Sequence, residues 1–153
     1  MSFEARIKEL GLTLPETPRP VANYVPAVQV GNLIFVSGHV PTVAGQVLSK
    51  GKLGREISIE QGQEAARAAL LNSLSAVRSL TGSLDVIRRI VKLNGWVASA
   101  EGFGNQPQVI NGASLLLEDI FGEVGKHARA AIGVAELPFG APVEIELIVE
   151  VQH

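Results

Sequence analysis

The chain has 153 residues and a formal net charge of −2 with no block of like charges, so it offers no electrostatic footprint for nucleic acid. It contains no cysteine, which excludes disulfides, thiolate nucleophiles and zinc–thiolate sites. Hydrophobic residues make up 46% against 18% charged, apolar for a single small domain, and a homo-oligomer interface is the simplest cover for that excess.

In chain order, residues 3–10 predict a short amphipathic helix stopped at Gly11, and Pro15, Pro18 and Pro20 then predict an extended approach to the body. No apolar signal core stands at the N-terminus and no run approaches the length of a membrane span, so a cytoplasmic protein without membrane contact is expected. Two apolar runs, Val25 to Val30 and Leu33 to Ser37, flank Gly31-Asn32 and read as a β-hairpin. Pro41 to Leu53 reads as a Gly-rich polar loop. Ser58 and Gln61 have capping-box spacing, and Ala66, Leu70, Leu74 and Val77 then recur at helical spacing as far as Gly82.

Ile90 to Ala98 predicts a strand with Val91, Leu93 and Val97 on one face and Lys92, Asn94 and Trp96 on the other. A second helix begins near Pro107 with the stripe Val109, Ala113, Leu116, Leu117 and Ile120, and ends by Gly122. Strands at about 128–134 and 142–151 complete the order β-β-α-β-α-β-β. This predicts a single α+β domain over 1–153, in which two helices cover one face of a mixed sheet and leave the other face for sister subunits.

The residues that point to chemistry lie near the C-terminus. Arg129 stands among small apolar residues, and a guanidinium that cannot shed its charge calls for an anionic partner. Arg129, Ala131 and Gly133 share one strand face, where the small residues are expected to leave room above the strand. Glu144 and Glu146 share a face of the last strand. Two readings follow: an internal Arg129–glutamate ion pair, which spacing alone favours, or a pocket in which Arg129 grips a ligand carboxylate and a glutamate orients a water. Ser37, before Gly38-His39, ends a strand and reads first as a turn. Tyr24 reads as a core or interface residue, Trp96 as interface packing, and Asn111 as solvent-exposed on the second helix. His39, His127 and His153 lack metal-ligand spacing, so no metal site is expected.

These residues together resemble the YjgF family of reactive-intermediate deaminases (Rid proteins), also labelled endoribonuclease L-PSP. The resemblance covers most of residues 21–151 and is anchored by Asn23-Tyr24-Val25, by Gly31 through Gly38 followed by Pro41, and by Asn111. Ala128-Arg129, Leu137-Pro138 and Val143 through Glu146 complete it. It implies a chorismate-mutase-like α+β protomer in a homotrimeric barrel with ligand sites in the clefts between subunits. It further implies hydrolysis of 2-imino or enamine acids to 2-oxo acids and ammonia, with no cofactor. Under it, Arg129 falls on the carboxylate-gripping arginine and Glu144 on the water-positioning glutamate. Tyr24, Ser37 and Asn111 fall on the family's tyrosine, strand-end serine and helix asparagine.

The chain also departs from the family. Ala131 replaces a common cysteine, His127 a common proline and His39 a common glutamine. The N-terminal extension, residues 1–20, and the loop at about 45–57 are longer than in compact members. A non-catalytic module binding 2-oxo acids or similar carboxylates is the alternative reading, while RNA cleavage is disfavoured by the charge balance.

Overall fold

The computed structural model describes residues 2–17 and 22–152, so the expectation for Pro18 and Pro20 lies outside the described residues. The hydroxyl of Ser2 accepts from the Ala5 amide and caps α1 (Phe3–Glu9), and Gly11 follows with φ of +73°. This helix is docked onto the body: Ile7 is buried, the rings of Phe3 and Phe121 meet edge to face at 4.8 Å, and Arg6 Nε donates to the Asp119 carbonyl at 2.8 Å.

The predicted hairpin is β1 (Ala27–Val30) and β2 (Leu33–Val36), paired in register through Val30 and Leu33. Gly31, first in the two-residue turn, takes φ of +60°, the position a type II′ turn reserves for glycine. The predicted polar loop contains a further small hairpin, β3 (Thr42–Val43) and β4 (Gln46–Val47). Ala44 and Gly45 at its tip both have positive φ, +53° and +82°, so an alanine occupies a place where Asn or Asp would have signalled the turn.

Helix α2 (Ile59–Thr81) opens on the predicted reciprocal box: the Ser58 hydroxyl accepts from the Gln61 amide at 3.1 Å and Gln61 Oε1 accepts from the Ser58 amide at 2.8 Å. It closes at Gly82 in the left-handed region. Next come β5 (Ile87–Ala98), α3 (Gln106–Phe121), β6 (Ala128–Val134) and β7 (Val143–Val151). The five long strands form one sheet in the order β1-β2-β7-β5-β6, with β5 and β6 parallel and every other neighbour antiparallel. The expected α+β class and mixed sheet are therefore present, and β6 is an edge strand.

Both long helices lie on one face, over Ile34, Val36, Leu93, Val97, Ile145, Leu147 and Val149, all buried. On β5 the expected inward Val91 is displaced. A register shift between Ile90 and Lys92 inserts one residue against β7, so Ile90 is the fully buried side chain and Val91 is only partly covered. The opposite face is bare in the isolated chain, with Val28, Val30, Phe35 and Ile132 exposed.

The helices approach each other through glycine. A Cβ on Gly112 of α3 would overlap the carbonyl oxygen of Gln63 on α2 and come within 2.8 Å of its Cα. Backbone cannot yield as a flexible side chain does, so Gly112→Ala should force the helices apart and cost about 1–3 kcal/mol. Urea unfolding of the variant should show a lower midpoint, and an unchanged midpoint would refute the close contact.

Candidate functional site

The predicted site residues fall into two clusters. The first gathers where β2 ends and β7 begins. Ser37 donates its amide to the Pro26 carbonyl at 2.8 Å and its hydroxyl to the Val25 carbonyl at 2.6 Å. These bonds lay the segment Tyr24-Val25-Pro26 along the end of β2, and Tyr24 itself is 51% exposed, so of its core and interface readings the core one fails. His39 and Ile145 exchange backbone bonds at 2.8 and 3.0 Å and tie the Ser37-Gly38-His39 turn to β7. Gly38 has to lack a side chain here, because a Cβ would overlap Glu144 Oε2. Glu144 thus lies directly over the Ser37-Gly38 backbone.

Glu144 is half-buried, and that desolvation pushes its carboxyl above the usual carboxylate range, with the charge of Glu146 adding to the shift. Glu146 is held by Asn94 Nδ2 at 2.8 Å. His39 faces the other way: its partner Ile145 is a core residue, its Nδ1 meets the Ser37 carbonyl at 2.8 Å, and burial holds it below the ordinary histidine value against the opposing effect of that bond. It stands behind the site rather than in it.

The second cluster joins α3 to the edge strand β6. Arg129 Nη1 donates to Asn111 Oδ1 at 2.7 Å and to Ser114 Oγ at 3.2 Å. Ser114 Oγ in turn meets His127 Nε2 at 2.9 Å, and His127 Nδ1 meets the Gly125 carbonyl at 2.7 Å. The solvent-exposed reading of Asn111 therefore fails, since that residue is turned to β6 and engaged by Arg129. The expected internal ion pair is absent too: among the described residues no carboxylate pairs with Arg129. Both Nη1 hydrogens go to neutral oxygens, while Nε and Nη2 carry no hydrogen bond to the described residues. Ser114 went unnoticed in the sequence, although it stands three residues after Asn111, the spacing that puts two side chains on one helix face.

The room expected above β6 is partly filled. A Cβ on Gly133 would come within 2.7 Å of Gln106 Nε2, and Ala131 packs against the core, so these small residues admit α3 rather than a ligand. Among the described residues no three of His, Asp and Glu converge as metal ligands, and no helix is long and apolar enough to cross a membrane.

Within one chain the clusters do not meet. Arg129 is in register with Leu93, on the helix-covered face, whereas Glu144 is in register with Trp96, on the bare face. Strand β5 separates them. Tyr24, Ser37 and Glu144 belong to the first cluster, and Asn111, Ser114 and Arg129 to the second.

The sequence and the fold are both matched among known proteins. The sequence profile described as YjgF/chorismate mutase-like, which also bears an endoribonuclease label, matches residues 4–151. The chain belongs to the YjgF/chorismate mutase-like family. It is 43% identical over 150 residues to protein TCP17 of Trypanosoma cruzi, covering 97% of this chain and 94% of that protein. Among solved structures, an Agrobacterium tumefaciens protein of unknown function superimposes with a TM-score of 0.91 at 48% identity, over 99% of this chain and 94% of the other. A Dermatophagoides farinae relative, 28% identical over 141 residues and covering 92% of this chain and 95% of that protein, is named a 2-iminobutanoate/2-iminopropanoate deaminase. The fold is thus shared with the solved Agrobacterium protein, and the deaminase name is that of the mite relative.

Proposed function

We propose that this YjgF-family chain hydrolyses reactive 2-imino or enamine acids to 2-oxo acids and ammonia, with no cofactor, in clefts between subunits of a homotrimer. The observation that carries the reading is the state of Arg129. Its Nη1 edge is tethered to neutral Asn111 and Ser114, and its Nε/Nη2 edge is left for a carboxylate to engage in bidentate fashion. The deaminase name of the mite relative supports the same chemistry.

A protonated imine is already electrophilic, so holding it beside an oriented water supplies much of what hydrolysis needs. Arg129 would fix the substrate carboxylate. Glu144, as a carboxylate, would accept a proton from water as the water oxygen bonds to the imine carbon and the C=N pair moves to nitrogen. The carbinolamine then loses ammonia: the C–N bond breaks, the Glu144 proton goes to the departing nitrogen, and the hydroxyl proton is released as the carbonyl forms. Ser37 and Tyr24 would line the Glu144 side and Asn111 the Arg129 side. Because Arg129 and Glu144 lie on opposite sheet faces of one chain, this mechanism draws them from two chains. The exposed apolar residues of the bare face provide a surface for that association.

The test is to generate 2-iminobutyrate in situ and follow its loss with and without purified protein. Accelerated loss with stoichiometric ammonia is the expected result. No acceleration, with sedimentation also showing a monomer, would reject the proposal.

A further inference from the structure

Arg129 is steadied by a chain of groups that reaches past Asn111, and the direction of each hydrogen bond in it can be assigned. The Gly125 carbonyl can only accept, so His127 Nδ1 carries the hydrogen of their 2.7 Å bond. In the neutral ring Nε2 then offers a lone pair, and the Ser114 hydroxyl donates to it at 2.9 Å. With its single hydrogen so committed, Ser114 Oγ presents a lone pair to Arg129 Nη1 at 3.2 Å. Every link is then satisfied: Arg129 donates to Ser114, Ser114 to His127 and His127 to the backbone.

We infer that Ser114 and His127 are positioning residues for the carboxylate-binding arginine, with His127 orienting the Ser114 hydroxyl so that Arg129 is held with its Nε/Nη2 edge outward. This rests on the reading of Arg129 as a carboxylate anchor. The physical need is plain. A long guanidinium side chain anchored only through Asn111 could pivot about one bond, and a substrate would have to overcome that freedom on binding. A second acceptor on the same nitrogen removes the pivot. A serine hydroxyl whose hydrogen was free to rotate could turn that hydrogen toward Arg129, and His127 prevents it. Three elements are linked by this chain, since Asn111 and Ser114 belong to α3, Arg129 to β6, and His127 to the turn before it.

The test uses the full-length protein and two readouts: the Kd of 2-oxobutyrate by calorimetry, and KM against kcat for 2-iminobutyrate. Ser114→Ala and His127→Ala should each weaken 2-oxobutyrate binding by roughly tenfold, the scale of one hydrogen bond to a charged group. The catalytic loss should fall on KM more than on kcat. Ser114→Thr, which keeps a hydroxyl, and His127→Gln, which keeps an acceptor near the Nε2 position, should each recover most of the affinity. The double alanine variant should be scarcely worse than either single one, because the two residues act in series. If both alanine variants bind 2-oxobutyrate within twofold of the wild type while Arg129→Ala does not bind, the positioning role is refuted and the anchor reading stands. If the wild type binds no 2-oxobutyrate, both are overturned together.

Discussion

Arg129→Ala is expected to lower kcat/KM for 2-iminobutyrate by on the order of a thousandfold, the upper range for deleting one partner of a desolvated, hydrogen-bonded charge pair. The cause is specific to what surrounds the side chain. No carboxylate of the described residues neutralises Arg129, so its removal leaves no orphaned charge in the protein, only the neutral acceptors Asn111 and Ser114. The fold should therefore survive and the melting temperature should change little. Had Arg129 been half of an internal ion pair, the same substitution would have stranded a glutamate and destabilised the chain. Arg129→Lys separates charge from geometry: an ammonium keeps the charge and loses the two-pronged fork, so it should recover only a small part of the lost activity. Steady-state kinetics together with thermal melts check both points. An Arg129→Ala protein that melts far below the wild type would restore the ion-pair reading.

Glu144→Gln is expected to lower kcat by about 10²–10⁴-fold, the usual contribution of a positioned general base, with 2-oxobutyrate binding nearly intact. That pairing separates an enzyme from a carboxylate-binding module, which would need Arg129 alone and would show no turnover to lose. The pH dependence follows from the environment of Glu144. Burial, with Glu146 adding to it, raises the carboxyl above its ordinary range, so the active carboxylate form accumulates later on the way up in pH. The rate should rise through a midpoint above that of a free glutamate.

The same shift has a consequence for stability, with its own sign. A carboxyl whose pKa is higher in the folded state than in the unfolded one stabilises the fold below its unfolded pKa. That contribution is lost as pH rises through the raised folded value. At neutral pH the wild type therefore carries an ionised, half-buried carboxylate at a cost, and glutamine does not. Glu144→Gln should melt above the wild type at pH 7, and the gap should narrow toward pH 4. A variant both inactive and more stable is what a functional residue held in an unfavourable place produces.

The sequence made the local structure readable where chemistry is local. The Ser58–Gln61 box, Gly82 and the Gly31-Asn32 turn each announce themselves within four residues, and α2 and the first hairpin lie where those signals put them. The small hairpin at Thr42–Val47 did not, because its turn sets an alanine in a conformation that favours glycine or asparagine. The inserted residue at Ile90–Lys92 hid for a similar reason: alternation assumes an unbroken pleat, and one extra residue exchanges the buried side chain.

The candidate site residues could be listed from the sequence, but their arrangement could not be read there. Alternation correctly placed Arg129 with Gly133, and Glu144 with Glu146. It could not say that these two strand faces look in opposite directions, because strand order depends on contacts between residues far apart in the chain. The anion that Arg129 calls for is supplied by no carboxylate of the described residues, and an amide and a hydroxyl on α3 take its Nη1 hydrogens instead. Ser114 was the recoverable omission, and His127 showed only as a departure from the family.

The placement of Arg129 and Glu144 on opposite sides of one sheet carries a genetic meaning under the proposed mechanism. A lone chain owns a share of two reaction centres and the whole of none. Chains that carry different inactivating lesions, one lacking the arginine and the other the glutamate, each retain what the other has lost. When they assemble together, some of their shared clefts are rebuilt from the two sound halves. Two alleles that are silent apart would be active in company.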